Sequence, residues 1–328
     1  MNAVSKGRKL AEIEIGRRCD DFVDARVGAV VITYHPNIEK LEAVLRAVGK
    51  QVERIVVVDN GSSGALVANV ASLCSRYNAT FIELSENRGI ASAQNTGIAE
   101  LIRNGSDYVL LLDHDSVPFE QMVDALLRAD VSLRANGHVV GAVGPVCEDA
   151  RTGALWPFVR LDKWRVRRVT CSQTCPVIKT DFLIASGSLI HRSVFKSVGV
   201  MNESFFIDHV DTEWCLRANA AGYALFGVCA ARLDHELGDR IVRLWAIRWR
   251  AVPVHSPVRM YYMFRNTIRL LAATPMCWTW RAVHAYRLFQ FAFFYSLLVS
   301  PRPRYCRAMF FGALDGILRR MHQIDRSL

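Results

Sequence analysis

The chain has 328 residues, 51% of them hydrophobic and 22% charged, with a formal net charge of +10. That balance excludes a disordered or fibrous chain, and the length is enough to bury a substantial core or form one large α/β domain. The charge is uneven: Arg243 to Leu328 carry 14 Arg, no Lys and only Asp315 and Asp325, a local +12, so the preceding 242 residues sum to −2.

Residues 1–26 read as a polar leader without the apolar core of a secretory signal. A rhythm then begins. "GAVVITY" (28–34) is a β-branched run that predicts a buried strand, and Ile38, Leu41, Val44, Leu45 and Val48 form a helical stripe. "RIVVVDNGSSG" (54–64) is a second strand running into a turn. A helix at 64–76, a strand at 80–84, a helix at 89–103 and the strand "DYVLLLD" (107–113) follow. Strands that are continuous apolar runs, alternating with helices, predict an α/β fold with a mostly parallel central sheet covered on both faces.

Further along, 139–146 predicts another strand and 151–176 an irregular excursion. Residues 177–195 give a strand, a small-residue turn and a helix start; 201–223 place acids at the head of a helix; 224–236 form a strand ending in a His. Residues 256–322 predict two or three amphipathic helices interrupted at Pro275 and at Pro301 and Pro303. The domain reading is a leader (1–26), a catalytic α/β domain (27–240) and a basic, aromatic, helical C-terminal segment (241–328). The longest greasy run, Leu288 to Val299, is 12 residues and contains Gln290, short of the about 20 needed to span a bilayer. Nine cysteines offer no paired CxxC sets, and Cys171 and Cys175 lack a second pair at zinc-site spacing, so reduced thiols, mostly in the core, are expected.

In a parallel sheet, ligands bind at the carboxyl ends of the strands. Polar residues cluster there: Thr33-Tyr34-His35, Asp59-Asn60, Asn87-Arg88 and Asp113-His114-Asp115. Two carboxylates at i and i+2 repel each other, and a divalent cation resolves the conflict with water and phosphate as its other ligands. An Asp capping the next helix is the bland alternative. Asp59 suits a ribose hydroxyl or base NH, or simple turn chemistry. Arg88 at a helix start suits phosphate, or is a solvated cap. Asp211 and Glu213 begin a helix, where acids complement the dipole or serve as a base. His235, after a strand, is a candidate third metal ligand. There is no GxGxxG after the first strand and no GxxxxGK[ST], which argues against a dinucleotide enzyme and a P-loop.

Taken together, "VVITYHP" (30–36), "VVVDNGS" (56–62), "ENRGIASAQNTGI" (86–98), "LLLDHDS" (110–116), "ASGSLIHRSVF" (185–195), "FFIDHVDTEWCLRA" (205–218) and "LDHELGD" (233–239) resemble the inverting nucleotide-sugar glycosyltransferases of the GT-A fold, family 2, in particular the bacterial rhamnosyltransferases. The resemblance implies that Thr33, Tyr34, Asp59, Asn87 and Arg88 bind the nucleotide. It implies Mg²⁺ or Mn²⁺ on Asp113, Asp115 and His235, Asp211 as catalytic base, and Ser186, Gly187, Ser188, Glu213 and Trp214 on the acceptor side. It further implies dTDP-L-rhamnose as donor, with a UDP-hexose or UDP-galactofuranose as the alternative, and a growing or lipid-linked glycan as acceptor. His114, between the two acids, departs from relatives that carry another acid or a small residue there, and this bears on donor identity.

The implied location is the cytoplasm. The Arg- and aromatic-rich C-terminal helices suit an anionic membrane surface on the inner face of the membrane, or equally a homodimer interface. A nucleic-acid-binding protein using the basic C-terminus is the competing class; it requires salt-dependent binding indifferent to Asp113 and Asp115, and no nucleic acid is expected as a partner.

Overall fold

The computed structural model describes residues 25–149, 153–172, 175–235, 240–246 and 248–324. The leader lies outside the described residues except for its last two. In chain order come β1 (Val27–Thr33), α1 (Ile38–Val48), β2 (Arg54–Asp59), α2 (Gly64–Arg76), β3 (Thr80–Glu83), α3 (Ile90–Arg103) and β4 (Tyr108–Asp113). Then follow β5 (Val117–Pro118), α4 (Met122–Ala135), β6 (Val140–Glu148), β7 (Phe158–Asp162), β8 (Arg165–Val169), β9 (Val177–Thr180), β10 (Leu189–His191), α5 (Arg192–Val198), α6 (Val210–Ala220) and β11 (Ala224–Asp234). The chain continues with β12 (Arg240–Ala246), β13 (Arg248–Val254), α7 (Pro257–Ala273), α8 (Trp278–Leu297) and α9 (Arg302–Ile317).

The central sheet has nine strands in the order β3-β2-β1-β4-β10-β6-β11-β5, with β9 also pairing β11. β1, β2, β3 and β4 are mutually parallel, as are β6 and β11, whereas β5, β9 and β10 pair antiparallel. Side chains of β1 divide by parity. Val27, Ala29 and Val31 pack with Leu41, Val44 and Leu45 of α1, and Val30 and Ile32 pack on the opposite face with Ala93 and Ile98 of α3. Burial on both faces is why these strands read as unbroken apolar runs.

Three expectations change. The 151–176 excursion contains the β7–β8 hairpin. Four of the five residues of β8, "RVRRV", are exposed, so no buried face marked it as a strand. Residues 240–246 and 248–254 pair as a second hairpin, β12–β13, and the helical part of the C-terminal segment begins at Pro257; the Val, Ile and Trp residues of "RIVRLWAIRWRAVPV" favour extended chain. Third, Cys171 and Cys229 form a disulfide, with Cα atoms 5.6 Å apart. Their separation of 58 residues carries no spacing signal, and the fold alone brings the end of β8 against β11. Among the described residues the buried free thiols are Cys74, Cys147 and Cys215.

The C-terminal helices are fastened to the α/β domain through polar groups as well as apolar ones. Leu270 joins the core under α3 and α6, and Tyr262 stacks on Phe206 at 5.1 Å between ring centroids. Arg265 and Asn266 are fully buried. Asn266 Nδ2 donates toward the carbonyls of Phe205 (2.8 Å), Ile207 (2.8 Å) and Asp208 (2.9 Å), and Arg265 Nη2 toward those of Ser204 (3.2 Å) and Phe205 (3.0 Å). Asn266→Ala leaves buried carbonyls without donors. Urea denaturation should show a stability loss of about 3 kcal/mol for that variant.

Candidate active site

Register sets the carboxyl edge of the sheet. Thr33 of β1 lies opposite Asp59 of β2, and Ile32 opposite Asp113 of β4, so the three strand ends finish level. Asp59 is fully buried. Its carboxylate accepts from Thr33 Oγ1 (2.8 Å), the Ser62 amide (2.7 Å) and Ser62 Oγ (2.7 Å). Next to it, Asn60 Nδ2 donates to Asn87 Oδ1 (3.0 Å), which also takes the Gly89 amide (2.9 Å), while Asn60 Oδ1 accepts from the Arg88 amide (2.9 Å). The two loops touch at Gly61, which has φ +83°; a Cβ there would stand 2.4 Å from the Glu86 carbonyl carbon. Thr33, Asp59 and Asn87 thus build one wall, and the exposed Tyr34 ring and Arg88 side chain stand at its rim.

Asp113 ends β4. Its amide donates to Ser186 Oγ at 3.1 Å, and Gly187 and Ser188 bracket Leu111 with two backbone bonds, Gly187 N to Leu111 O (2.7 Å) and Leu111 N to Ser188 O (3.1 Å). The short β5 pairs with the end of β11 through Asp234 and Val117, which carries His235 back beside Asp115. Donor atoms of Asp113, Asp115 and His235 all lie within 4.8 Å of one another. Buried Ser116 Oγ binds His235 Nδ1 at 2.7 Å, which leaves Nε2 as the coordinating nitrogen, the arrangement in which metal-binding imidazoles are usually held. Burial raises the Asp113 carboxyl above its ordinary range and Asp115 adds to this, while the charges of His235, His114 and Arg259 oppose it.

Asp211 sits in the first turn of α6, with Thr212 N donating to its Oδ1 at 2.7 Å. Burial lifts its pKa above the ordinary aspartate value against the Thr212 amide bond, and Asp208 and Asp113 push the same way as burial. The approach to α6 is unusual: Phe206, Asp208 and His209 have φ of 62°, 64° and 61°, a conformation that non-glycine residues adopt only under constraint. Asp208 pairs with Arg259 of α7 at 2.6 Å. Asp211 opens onto a cavity of about 370 Å³ walled by Trp156, Phe182, Trp280, His284 and Arg287, among others.

Asp113, Asp115 and His235 converge as expected, and Thr33, Asp59 and Asn87 form a single network. Five residues expected on the acceptor side are occupied elsewhere. Ser186, Gly187 and Ser188 support β4. Buried Glu213 is held by Arg217, whose guanidinium also binds the carbonyls of Val198 and Val200, and Trp214 Nε1 donates to Gly199 O at 2.9 Å. None of the five lines the large cavity beside Asp211, although Ser188 and Trp214 share a much smaller void with it. The residues that do, His209, Trp280, His284 and Arg287, escaped the sequence reading. Their only signal was the spacing of 280, 284 and 287 on one helical stripe.

A family model for glycosyl transferase family 2 matches residues 29–199. The chain is 32% identical over 252 residues to the dTDP-rhamnosyl transferase RfbF of Shigella flexneri, covering 76% of this chain and 81% of that one. The chain belongs to glycosyl transferase family 2. This family 2 enzyme is also 26% identical over 251 residues to the galactofuranosyltransferase GlfT1 of Mycobacterium tuberculosis, covering 73% of the chain and 80% of GlfT1. Its fold recurs among solved structures. GalNAc-T7, crystallised with UDP, GalNAc and Mn²⁺, superposes with a TM-score of 0.59 at 13% identity over 90% of this chain and 56% of its own. The mannosyltransferase PcManGT from Pyrobaculum calidifontis, with GDP-Man and Mn²⁺, gives 0.52 at 16% identity, over 90% and 88%. The mostly parallel GT-A architecture read from the sequence is therefore the one observed, and the protein is a glycosyltransferase.

Within the glycosyltransferase, His284 is held neutral: burial and the charge of Arg287 bring its pKa from 6.5 down to about 4. The unfolded chain takes up this proton near pH 6.5 and the folded one does not. Its contribution to stability is thus complete above pH 6.5 and is lost as the pH falls toward 4, at up to about 1.4 kcal/mol per pH unit. Urea midpoints of His284→Gln across that window should lose about one proton's worth of pH slope.

Proposed function

We propose that the protein transfers L-rhamnose from dTDP-L-rhamnose, with inversion at the anomeric carbon, to a hydroxyl of a lipid-linked or growing cell-surface glycan. The observation that carries the transfer chemistry is a buried, proton-seeking Asp211 beside, but separate from, the cluster of Asp113, Asp115 and His235 at the carboxyl edge. The relative at 32% identity supports the donor.

In this reading Thr33, Tyr34, Asp59, Asn87 and Arg88 hold the nucleotide, Asp59 through its carboxylate edge. Two carboxylates and an imidazole nitrogen form a donor set that fits Mn²⁺ or Mg²⁺, and Asp113, Asp115 and His235 would hold it. The ion would supply positive charge against the departing diphosphate. Asp211 takes the proton of the acceptor hydroxyl as that oxygen bonds the anomeric carbon. The carbon–oxygen bond to the diphosphate breaks in the same displacement, and its electron pair leaves with the diphosphate. Arg259, paired to Asp208, adds positive potential that favours the charged form of Asp113.

The test is transfer or donor hydrolysis across a panel of nucleotide sugars, with and without added Mn²⁺ or Mg²⁺. Metal-dependent use of dTDP-L-rhamnose is expected; turnover confined to UDP-galactofuranose would move the donor to the GlfT1-like alternative, and no turnover of any donor would refute the reading. Asp211→Asn should lower transfer by about a thousandfold or more while donor affinity stays near wild type.

The C-terminal helices suit an anionic membrane surface. No helix among the described residues is long and apolar enough to cross a membrane, but α8 exposes Trp278, Tyr286, Phe289, Phe293 and Leu297 along one side, and Arg302, Arg304 and Arg307 lie exposed at the start of α9. Shallow insertion of the aromatics with Arg at the headgroups fits this combination. Flotation with phosphatidylglycerol vesicles should show binding that Phe289→Asp with Phe293→Asp abolishes. A change from dimer to monomer in that variant, without any vesicle binding by the wild type, would assign the face to a second subunit instead.

A further inference from the structure

The cavity beside Asp211 holds groups that the transfer chemistry leaves unused. Its walls are mostly apolar or aromatic, yet two polar side chains stand in it without a counterpart. His284 is buried, and its Nε2 has no hydrogen-bond partner. Arg287, on the next turn of α8, lines the same space. Its guanidinium lies over the Phe291 ring at 5.2 Å from the centroid, and among the described residues it makes no ion pair.

A second cation is carried by the hairpin that borders the cavity. Arg168 of β8 lies opposite the cavity-lining Val159 in the hairpin register. Its neighbours on β8 are satisfied, Arg167 by Asp162 at 2.9 Å and Arg165 over the Trp164 ring at 4.4 Å. Arg168 has no carboxylate partner among the described residues. Loss of solvent and then the charge of Arg168 both depress the pKa of Arg287. Two guanidinium groups that feel each other's charge without an acid repel, and an anion between them reverses the sign of that interaction.

We propose that this cavity seats a phosphate-bearing acceptor, with Arg168 and Arg287 clamping the phosphate and His284 hydrogen-bonding the sugar that offers its hydroxyl to Asp211. The role of the hydroxyl rests on the transferase reading above; the anion site does not. Two cations match a phosphate monoester, which carries about −1.5 to −2 at neutral pH, better than a carboxylate, and the planar guanidinium fork suits its oxygens. Trp156, Phe182 and Trp280 supply flat apolar walls for the faces of a sugar ring, and Phe182 and Trp280 are set edge to face at 4.7 Å. The anion is distinct from the donor diphosphate, because none of Asp113, Asp115 and His235 lines this cavity.

Calorimetric titration of the full-length protein in EDTA with inorganic phosphate tests the site without donor, metal or acceptor. Wild type should bind, Arg168→Gln with Arg287→Gln should bind at least about tenfold more weakly, and the double Lys variant should lose much less. Since Arg287 lines the cavity but stays solvent-accessible at its mouth, Arg287→Gln alone keeps the comparison available if the double variant is unstable, with a partial loss expected. Absence of phosphate binding by wild type, or equal binding by the folded Gln variants, would overturn the proposal. So would loss of phosphatidylglycerol vesicle binding in those variants with phosphate binding intact, since the pair would then serve a lipid headgroup at the surface. If phosphate binding follows the arginines but no nucleotide sugar is turned over, the transferase reading fails and the anion site stands.

Discussion

Everything around Asp211 depends on a short piece of strained backbone being held still. Phe206, Asp208 and His209 adopt left-handed φ within four residues, at a cost on the order of 1–3 kcal/mol each. The restraint comes from α7, whose buried Asn266 and Arg265 take up the carbonyls of residues 204–208 from behind. From the same loop, the Phe206 carbonyl receives the Ile90 amide at 2.7 Å, at the start of α3. One set of hydrogen bonds thereby ties the proposed base, the loop network next to Asp59 and the C-terminal helices into a single unit. The span matched by the family, 29–199, contains neither Asp211 nor α7, so this closure is supplied by the rest of the chain.

Much of the fold was legible because parallel strands advertise themselves. Their burial on two faces leaves apolar runs that end abruptly in Thr33, Asp59 and Asp113, and the register then puts those ends level. Asp113, Asp115 and His235 were legible for the same reason, each being polar at the end of a strand. What escaped was whatever depends on contact rather than on period. The β7–β8 hairpin has too little apolar alternation to register as strands. The Cys171–Cys229 pair has no motif. The support that Ser186, Gly187 and Ser188 give the end of β4 is likewise a contact that a one-dimensional reading does not show. Glu213 and Trp214 share a helix turn with Asp211 but face its interior.

The basic C-terminus shows how bulk charge conceals different fates. Arg259 is paired with Asp208 next to the site. Arg265 is wholly buried, over the Tyr262 ring at 4.7 Å, with carbonyls in place of an acid. Arg287 looks into the cavity, and Arg302, Arg304 and Arg307 face outward. A local +12 therefore does not describe a single surface; it sums a structural anchor, an electrostatic element of the site and an exposed patch.

Helix α8 has two unlike sides: Trp280, His284 and Arg287 wall the cavity, and Trp278, Tyr286, Phe289, Phe293 and Leu297 face away from it. The helix is therefore a partition of known thickness, about 10 Å with its side chains. Whatever rests against its outer side is kept that far from Asp211. A sugar attached flush to such a surface would stop one helix short, and only a glycan standing off by at least that distance could present its hydroxyl. If the proposed surface and acceptor are right, the fold would select for the length of the stalk that carries the acceptor, independently of which sugar is at its tip.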